Sequence, residues 1–181
     1  LMADGSIEPT GDVFGPLDAA NAQPDETTLN RLEYAQRVVH ESLRLHPAGL
    51  IAARVAARDV TVGDHIIKKG TLIAWSPYLV GRDPATWIDP LDFEPDRYLN
   101  LTEEQKATTD RARIPFGRGP HMCIGYALAQ MELVLMIARF AQRLDLDPTA
   151  AAIPPPVGMV VNRPVGGAPF NIRPRRRIPE V

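Results

Sequence analysis

The sequence predicts a mainly α-helical domain with small antiparallel β-sheets, and three features of it carry that reading. From Thr28 to Leu45 apolar residues recur at helical spacing, and Pro47 stops the run. Between Ala52 and Trp75 short β-branched pieces alternate with tight-turn residues. From Ile124 to Arg143 the chain is apolar on nearly every face of a helix, the pattern of an element enclosed within a fold.

The elements follow in order. Residues 1–25 are rich in Gly, Pro and Asp without a sustained period, which reads as loop or linker. The first helix places Leu32, Ala35, Val38, Val39, Leu43 and Leu45 at helical spacing. Ala52–Val55, Val60–Val62, His65–Ile67 and Thr71–Trp75 are the strands of one small sheet, parted by Asp59, Gly63-Asp64 and Lys69-Gly70. A short helix covers Pro77–Gly81. The stretch from Arg82 to Pro115 reads as irregular, and so long a loop in a compact domain needs anchors. Trp87, Phe93 and Tyr98 supply them. After the apolar helix, Val157–Val161 and Pro169–Ile172 form a β-hairpin around Arg163–Gly167, and Arg175–Arg177 end the chain as a solvated basic cluster.

Composition narrows the function classes. With 181 residues, 45% hydrophobic and 23% charged, the chain can bury a core without disulfides. A net charge of −2 argues against wholesale binding of nucleic acid. The single cysteine excludes an intramolecular disulfide and suits a reducing compartment. No apolar run reaches the roughly 18 residues of a membrane span. The chain starts at Leu1 and its eighteen prolines cut it into short pieces, both expected of a piece of a longer protein. An upstream segment would be the place for a membrane anchor.

The most informative stretch runs from Pro115 to Glu132. A glycine-punctuated loop delivers Cys123 to the first residue of the apolar helix. Helix N-termini carry roughly half a positive charge and free N–H donors, which favour an anionic sulfur. Gly119 and Gly125 have no side chains to keep a flat group away from the backbone. On the residues alone, a small buried hydrophobe or a nucleophile served by His121 are open alternatives. Zinc is disfavoured, because one cysteine and four scattered histidines lack ligand spacing. Glu41-Ser42-Leu43-Arg44 puts a carboxylate and a guanidinium on one helical face, which by itself is a weak signal.

Together these motifs carry a resemblance. Phe116-x-x-Gly119-x-His121-x-Cys123-x-Gly125, continued by Ala129 and Glu132, resembles the cysteine signature of the cytochrome P-450 family. Glu41-x-x-Arg44 resembles that family's Glu-x-x-Arg helix, and Pro95-x-Arg97 the segment whose arginine joins the pair. The resemblance runs from Leu29 to Ile172. Three positions depart from it: His121 stands where arginine is commoner, Asp96 where glutamate is usual, and Gly81 where histidine is frequent.

The resemblance implies the C-terminal part of the cytochrome P-450 fold, its N-terminal part and distal helix lying outside these residues. Residues 1–28 would be a linker remnant and 29–181 the haem-binding part of a single domain. It implies haem b (iron protoporphyrin IX) with Cys123 as axial ligand, a thiolate that in this family pushes electron density towards O–O cleavage. Phe116, Gly119, His121, Ile124, Gly125, Ala129 and Arg54 would be its contacts, with His121 and Arg54 on the propionates. The His121 contact would depend on the charge of its imidazole. Glu41, Arg44 and Arg97 would form a structural triad, with no catalytic residue in these residues beyond the axial ligand.

The implied activity is a monooxygenase that inserts one atom of O2 into a lipophilic substrate, touched by Gly49, Leu50, Ile51, Met159 and Val160. Electrons would come from an external ferredoxin, flavodoxin or reductase on the face near Lys106, Arg111, Arg113 and Arg118. No nucleic acid and no metal beyond the haem iron is implied, and the type is a soluble, cytoplasmic, bacterial-like one. A peroxide-using or rearranging haem-thiolate enzyme and a catalytically silent remnant are the alternatives. The isolated 181 residues are expected to be inactive.

Overall fold

The computed structural model describes residues 26–149, 154–158 and 161–175. The first helical pattern becomes two consecutive helices, α1 (Glu26–Arg31) and α2 (Glu33–Leu45). Leu32 between them leaves helical geometry at ψ 49° but keeps its side chain in the core, 2% exposed. The helix therefore begins inside the segment expected to be a 1–28 linker, and residues 1–25 lie outside the described ones. Pro47 lacks an N–H and biases the residue before it away from helix, so α2 ends at Leu45.

Four short strands follow where the turn chemistry predicts them: β1 (Ala52–Val55), β2 (Val60–Val62), β3 (His65–Ile67) and β4 (Leu72–Trp75). They make two separate antiparallel ladders rather than one sheet, β1 with β4 and β2 with β3. The segment Gly49–Ile51 ahead of them is irregular chain, because the ladder starts only at Ala52 opposite Trp75. Next comes α3 (Pro77–Val80), capped by the Ser76 hydroxyl, which accepts from the Leu79 N–H at 3.2 Å. Pro77 occupies its first turn, where a missing N–H does no harm.

The stretch expected to be irregular from Arg82 to Pro115 contains two elements. A 3₁₀ turn covers Pro95–Tyr98, and α4 spans Glu103–Ala112. Helix α4 is polar on every side, so hydrophobic periodicity could not reveal it. Its start is set by a capping box in which Thr102 and Gln105 exchange side-chain and backbone bonds. Of the three expected aromatic anchors, Trp87 is buried and Tyr98 half-buried, whereas Phe93 is exposed.

Helix α5 runs from Tyr126 to Arg143, so Cys123 lies three residues before it rather than at its first position. Only one stripe of α5 is buried. Val134 and Ala138 pack with Leu32, Ala35 and Val39, and Leu29, Leu43, Leu133 and Ile137 flank that cluster. Other apolar positions of the helix, Leu128, Met131, Met136 and Phe140, are exposed in this chain, as is Ile124 just before it. The expectation of an enclosed helix is corrected to one covered along a single stripe.

The C-terminal strands also pair differently from expectation. Strand β5 (Leu144–Pro148) continues straight from α5 and pairs with β8 (Phe170–Pro174). Cross-strand pairs Arg173–Asp147 and Arg175–Asp145 support this register. Strand β6 (Pro156–Val157) pairs instead with β7 (Arg163–Pro164). Gly158, just after β6, sits at φ +107°, and a Cβ there would collide with the Val161 carbonyl, so glycine is required at that point. Met159 and Val160, two of the expected substrate contacts, lie outside the described residues, as do Arg176 and Arg177.

Leu32→Ala should lower stability by about 2–5 kcal/mol through loss of buried methyl groups at the α2–α5 contact. Val62→Ala, on an exposed strand, should stay within about 0.5 kcal/mol. Urea denaturation of the two variants checks the contrast.

Candidate functional site

Two clusters make up the site, and α2 joins them. The first is built on Glu41, whose side chain has no exposed surface. Its spacing from Arg44 places both on one face of α2, and Arg44 grips it with Nε on Oε2 at 2.8 Å and Nη2 on Oε1 at 2.7 Å. Arg97, delivered by the 3₁₀ turn, adds Nε on Oε1 at 2.9 Å. The structure thus brings Glu41, Arg44 and Arg97 together. Two further donors complete the shell: the Glu94 N–H on Oε1 at 2.9 Å and the Tyr98 hydroxyl on Oε2 at 3.0 Å.

The arginines then turn outward to the irregular backbone. Arg44 donates from Nη1 to the carbonyls of Gly81 and Pro90 at 2.5 and 2.6 Å, and from Nη2 to Asp92 at 2.9 Å. With its two bonds to Glu41, all five of its N–H groups are used. Arg97 reaches the carbonyls of Ile88, Asp89 and Asp92. The Trp87 ring lies 5.2 Å from the Arg44 guanidinium, while its Nε1 donates to the Val80 carbonyl at 2.9 Å.

Burial pushes the Glu41 carboxyl up. The Arg44 bonds, the Glu94 N–H, the Arg44 charge and the Arg97 bond outweigh it, and the net shift is downward. Tyr98 moves the other way, well above the ordinary tyrosine range, because burial and then the Glu41 carboxylate both oppose a phenolate.

The second cluster is the cysteine loop. Gly117 and Gly119 both sit at φ +74°, a left-handed conformation that side-chain-bearing residues rarely adopt. The Cys123 N–H donates across the loop to the Phe116 carbonyl at 2.9 Å, and the Cys123 carbonyl accepts from Tyr126 N–H at 3.2 Å. Cys123 is exposed. Phe116 is half-buried with its ring edge-on to Tyr126 at 5.2 Å. A Cβ on Gly125 would lie 3.8 Å from the Cys123 Sγ, so glycine keeps the space beside the sulfur open.

A large, flat, apolar prosthetic group fits these residues. They offer one exposed thiol and open space beside the sulfur, next to exposed Ile124 and Leu128. His121 is exposed in the short 3₁₀ turn over Gly119–His121, and Ala129 is half-buried near the start of α5. Arg54 is exposed on β1, its Nη1 on the Ala53 carbonyl and its guanidinium 5.1 Å from the centre of the Trp75 ring. Among the described residues no group of three or more His, Cys, Asp and Glu could hold a metal ion.

A cleft of about 300 Å³ beside the cysteine loop is lined by His40, Asp110, Arg113, Phe116, Arg118 and Tyr126 among others. His40 meets Tyr98 edge-on at 5.8 Å. Burial and then the Arg113 charge lower its pKa to about 4, against the opposing pull of Asp110. Arg118 Nη1 donates to the Asp110 carbonyl at 3.0 Å, tying the cysteine loop to the end of α4. Of the four cations read as a docking face, Lys106, Arg111 and Arg118 are exposed. Arg113 is half-buried and paired with Asp110 at 3.4 Å.

Sequence reasoning missed Tyr98 as a ligand of Glu41, and His40. An aromatic one residue after Arg97 was the available signal for the first. Nothing in the sequence pointed to the second. Of the expected substrate contacts, Gly49 and Leu50 are half-buried and Ile51 is exposed.

Comparison with known proteins adds independent findings. A family model described as Cytochrome P450 matches residues 17–167. Iridoid oxidase of Catharanthus roseus is 34% identical over 165 residues, covering 87% of this chain and 31% of its own length. Ferruginol synthase of Salvia miltiorrhiza is 38% identical, with 71% of this chain and 27% of its own covered. The mitochondrial 25-hydroxyvitamin D-1 alpha hydroxylase of Homo sapiens is 36% identical, with 75% and 26% covered. Among solved structures, retinoic acid-bound cyanobacterial CYP120A1 superposes with a TM-score of 0.76 at 24% identity, over 84% of this chain and 35% of that one. The chain thus spans less than a third of the length of these curated relatives. Among the described residues, no helix is long and apolar enough to cross a membrane.

Glu41→Gln should destabilise by about 3–5 kcal/mol, since it leaves two buried guanidinium charges without their anion. The lowered Glu41 pKa contributes stability that is complete above the ordinary glutamate value of about 4.3 and is lost as pH falls through the folded value. Acid unfolding of the variant should lack that component. His40 acts in a higher window: its stabilising neutral form is fully present above about 6.5, and stability falls as pH drops from there to about 4. Thermal denaturation of His40→Leu between those values should show a flatter pH dependence than the parent.

Proposed function

The chain belongs to the cytochrome P450 family and carries part of its fold, and from that premise we propose that it is the haem-binding, C-terminal part of a haem-thiolate monooxygenase acting on a lipophilic substrate. The observation that carries the proposal is Cys123, exposed on a loop held by its own N–H on the Phe116 carbonyl and by left-handed glycines. When bound, a haem b at this thiolate supplies reductive activation of O2 and transfer of one oxygen atom to a C–H bond.

The chain's own residues have separate parts in this reading. Cys123 holds the iron. Phe116 and Tyr126 pack on the protein side of the loop and limit water there, and Gly119, Ile124, Gly125 and Ala129 leave a smooth surface for the ring. His121 and Arg54 carry the propionates. Arg54 would swing from its stack on Trp75 to do so. The Glu41–Arg44–Arg97 cluster orders the backbone from Gly81 to Tyr98 beneath the loop and takes no part in bond making. Gly49, Leu50 and Ile51 line one edge of the substrate space and the β6–β7 hairpin the other; Met159 and Val160 lie outside the described residues.

Electrons come from a separate acidic partner of ferredoxin, flavodoxin or reductase type. Exposed Lys106, Arg111 and Arg118 are the steering cations. Lys106 and Arg113 are engaged by Glu103 and Asp110 and contribute less than the other two. The lone cysteine suits a reducing compartment, and a cytoplasmic location is part of the proposal.

In the full-length enzyme, the reduced haem should give the red-shifted Soret band of a thiolate-ligated ferrous–CO complex. Cys123→Ser should abolish that band and the monooxygenase activity with it. A variant that kept the red-shifted band would remove Cys123 from its assigned role.

A further inference from the structure

Asn162 makes two bonds that nothing in the proposed chemistry uses. Its backbone N–H donates to the Ala48 carbonyl at 2.5 Å, and its side-chain Nδ2 donates to the Pro47 carbonyl at 3.1 Å. The two acceptors are consecutive, and the second bond spans 115 residues of chain. Pro47 is fully buried, so its carbonyl is a fixed point just past the end of α2. The opposite amide orientation would set Oδ1 against that carbonyl, two acceptors face to face, and in the orientation present Oδ1 is buried without a partner.

The position of this clamp matters because of what it joins. On one side, the carbonyls of Pro47 and Ala48 lead directly into Gly49, Leu50 and Ile51. That segment has no ladder of its own, since pairing starts at Ala52. Its other tether is the Ser76 hydroxyl, which donates to the Leu50 carbonyl at 2.6 Å. On the other side, Asn162 sits next to β7 in a hairpin whose remaining bonds are internal, such as Val165 N–H on the Pro155 carbonyl at 3.0 Å. Among the described residues, the two Asn162 bonds are the hydrogen bonds that join the β6–β7 hairpin to α2 and the segment after it. Exposed apolar side chains flank both ends of the clamp, Ile51 on one segment and Val161 on the other.

We infer that Asn162 is a positioning residue for the substrate space: by clamping the hairpin to Pro47 and Ala48, it sets the distance between the two segments that would enclose a lipophilic ligand. The inference rests on the reading given under Proposed function. It assigns Asn162 no contact with haem and no part in the chemistry. An asparagine is suited to the task, because its short amide places one donor beside its own N–H and addresses two successive carbonyls at once.

The test uses the full-length, haem-loaded enzyme and two azole probes that ligate the haem iron from the substrate side. Imidazole needs little beyond the iron, whereas 4-phenylimidazole also needs the apolar walls. Spectral titration gives the ratio of the two affinities. Asn162→Ala should lower the preference for 4-phenylimidazole by about tenfold, the scale of one lost hydrogen bond, with haem content and imidazole affinity unchanged.

Asn162→Asp keeps the shape but sets a carboxylate against the Pro47 carbonyl. Its preference should fall similarly and recover, relative to the parent at the same pH, as acid converts the carboxylate to a donor. An unchanged ratio in both variants would overturn the inference. So would an equal loss of affinity for both azoles, or loss of haem from both variants, since either marks a purely structural residue. A parent enzyme that binds neither azole nor CO would instead defeat the haem-thiolate reading itself.

Discussion

A carboxylate with no exposed surface holds this structure together. Burying Glu41 as an anion costs several kcal/mol unless the loss of water is fully compensated. Five donors compensate it: two from Arg44, one from Arg97, the Glu94 N–H and the Tyr98 hydroxyl. The arrangement solves a second problem as well. The backbone between Gly81 and Tyr98 has little regular structure, and its carbonyls lack the donors that a helix or ladder would supply. The outward-facing N–H groups of the two arginines take the carbonyls of Gly81, Ile88, Asp89, Pro90 and Asp92. The ion cluster thereby does for an irregular segment what secondary structure does elsewhere, and the rigid planar forks of arginine suit it better than lysine could.

The cysteine loop depends on that base through side chains rather than through a ladder. Tyr98 binds Glu41 with its hydroxyl and meets His40 with its ring, while Arg118 ties the loop to the end of α4. Helix α5 carries the consequence along its length. Val134 and Ala138 are locked to α2, while Leu128, Met131, Met136 and Phe140 are exposed. Cys123, itself exposed, therefore precedes a helix that is fixed along one stripe and exposed at Leu128 and Met131.

Much of this was legible in the sequence, and the failures have physical causes. The strands between Ala52 and Trp75 were readable because turn residues mark their ends with local chemistry. The Glu41–Arg44–Arg97 grouping was readable only through resemblance, since an i,i+3 ion pair is commonplace and Arg97 is remote in sequence. Helix α4 was invisible to periodicity because it has no apolar stripe, although Thr102 and Gln105 signalled its start. The β5–β8 pairing was missed because Leu144 and Leu146 extend an apolar helix whose pattern masks their alternation with Asp145 and Asp147. The apolar pattern of α5 predicted enclosure on all sides, but the packing that covers a second face is not written in the helix itself.

At Gly81 the absence of a side chain has a structural reason. Its φ of −66° is available to any residue, so glycine is not needed there for its conformational freedom. Space is the reason. A Cβ on Gly81 would collide with the Arg44 carbonyl oxygen, while the Gly81 carbonyl accepts from Arg44 Nη1 at 2.5 Å. The end of α3 and the end of α2 thus touch backbone to backbone around one arginine. A side chain at this position would force that contact apart. The absence of a side chain at Gly81 is therefore part of how Arg44 is satisfied, and through Arg44 part of how Glu41 remains charged and buried.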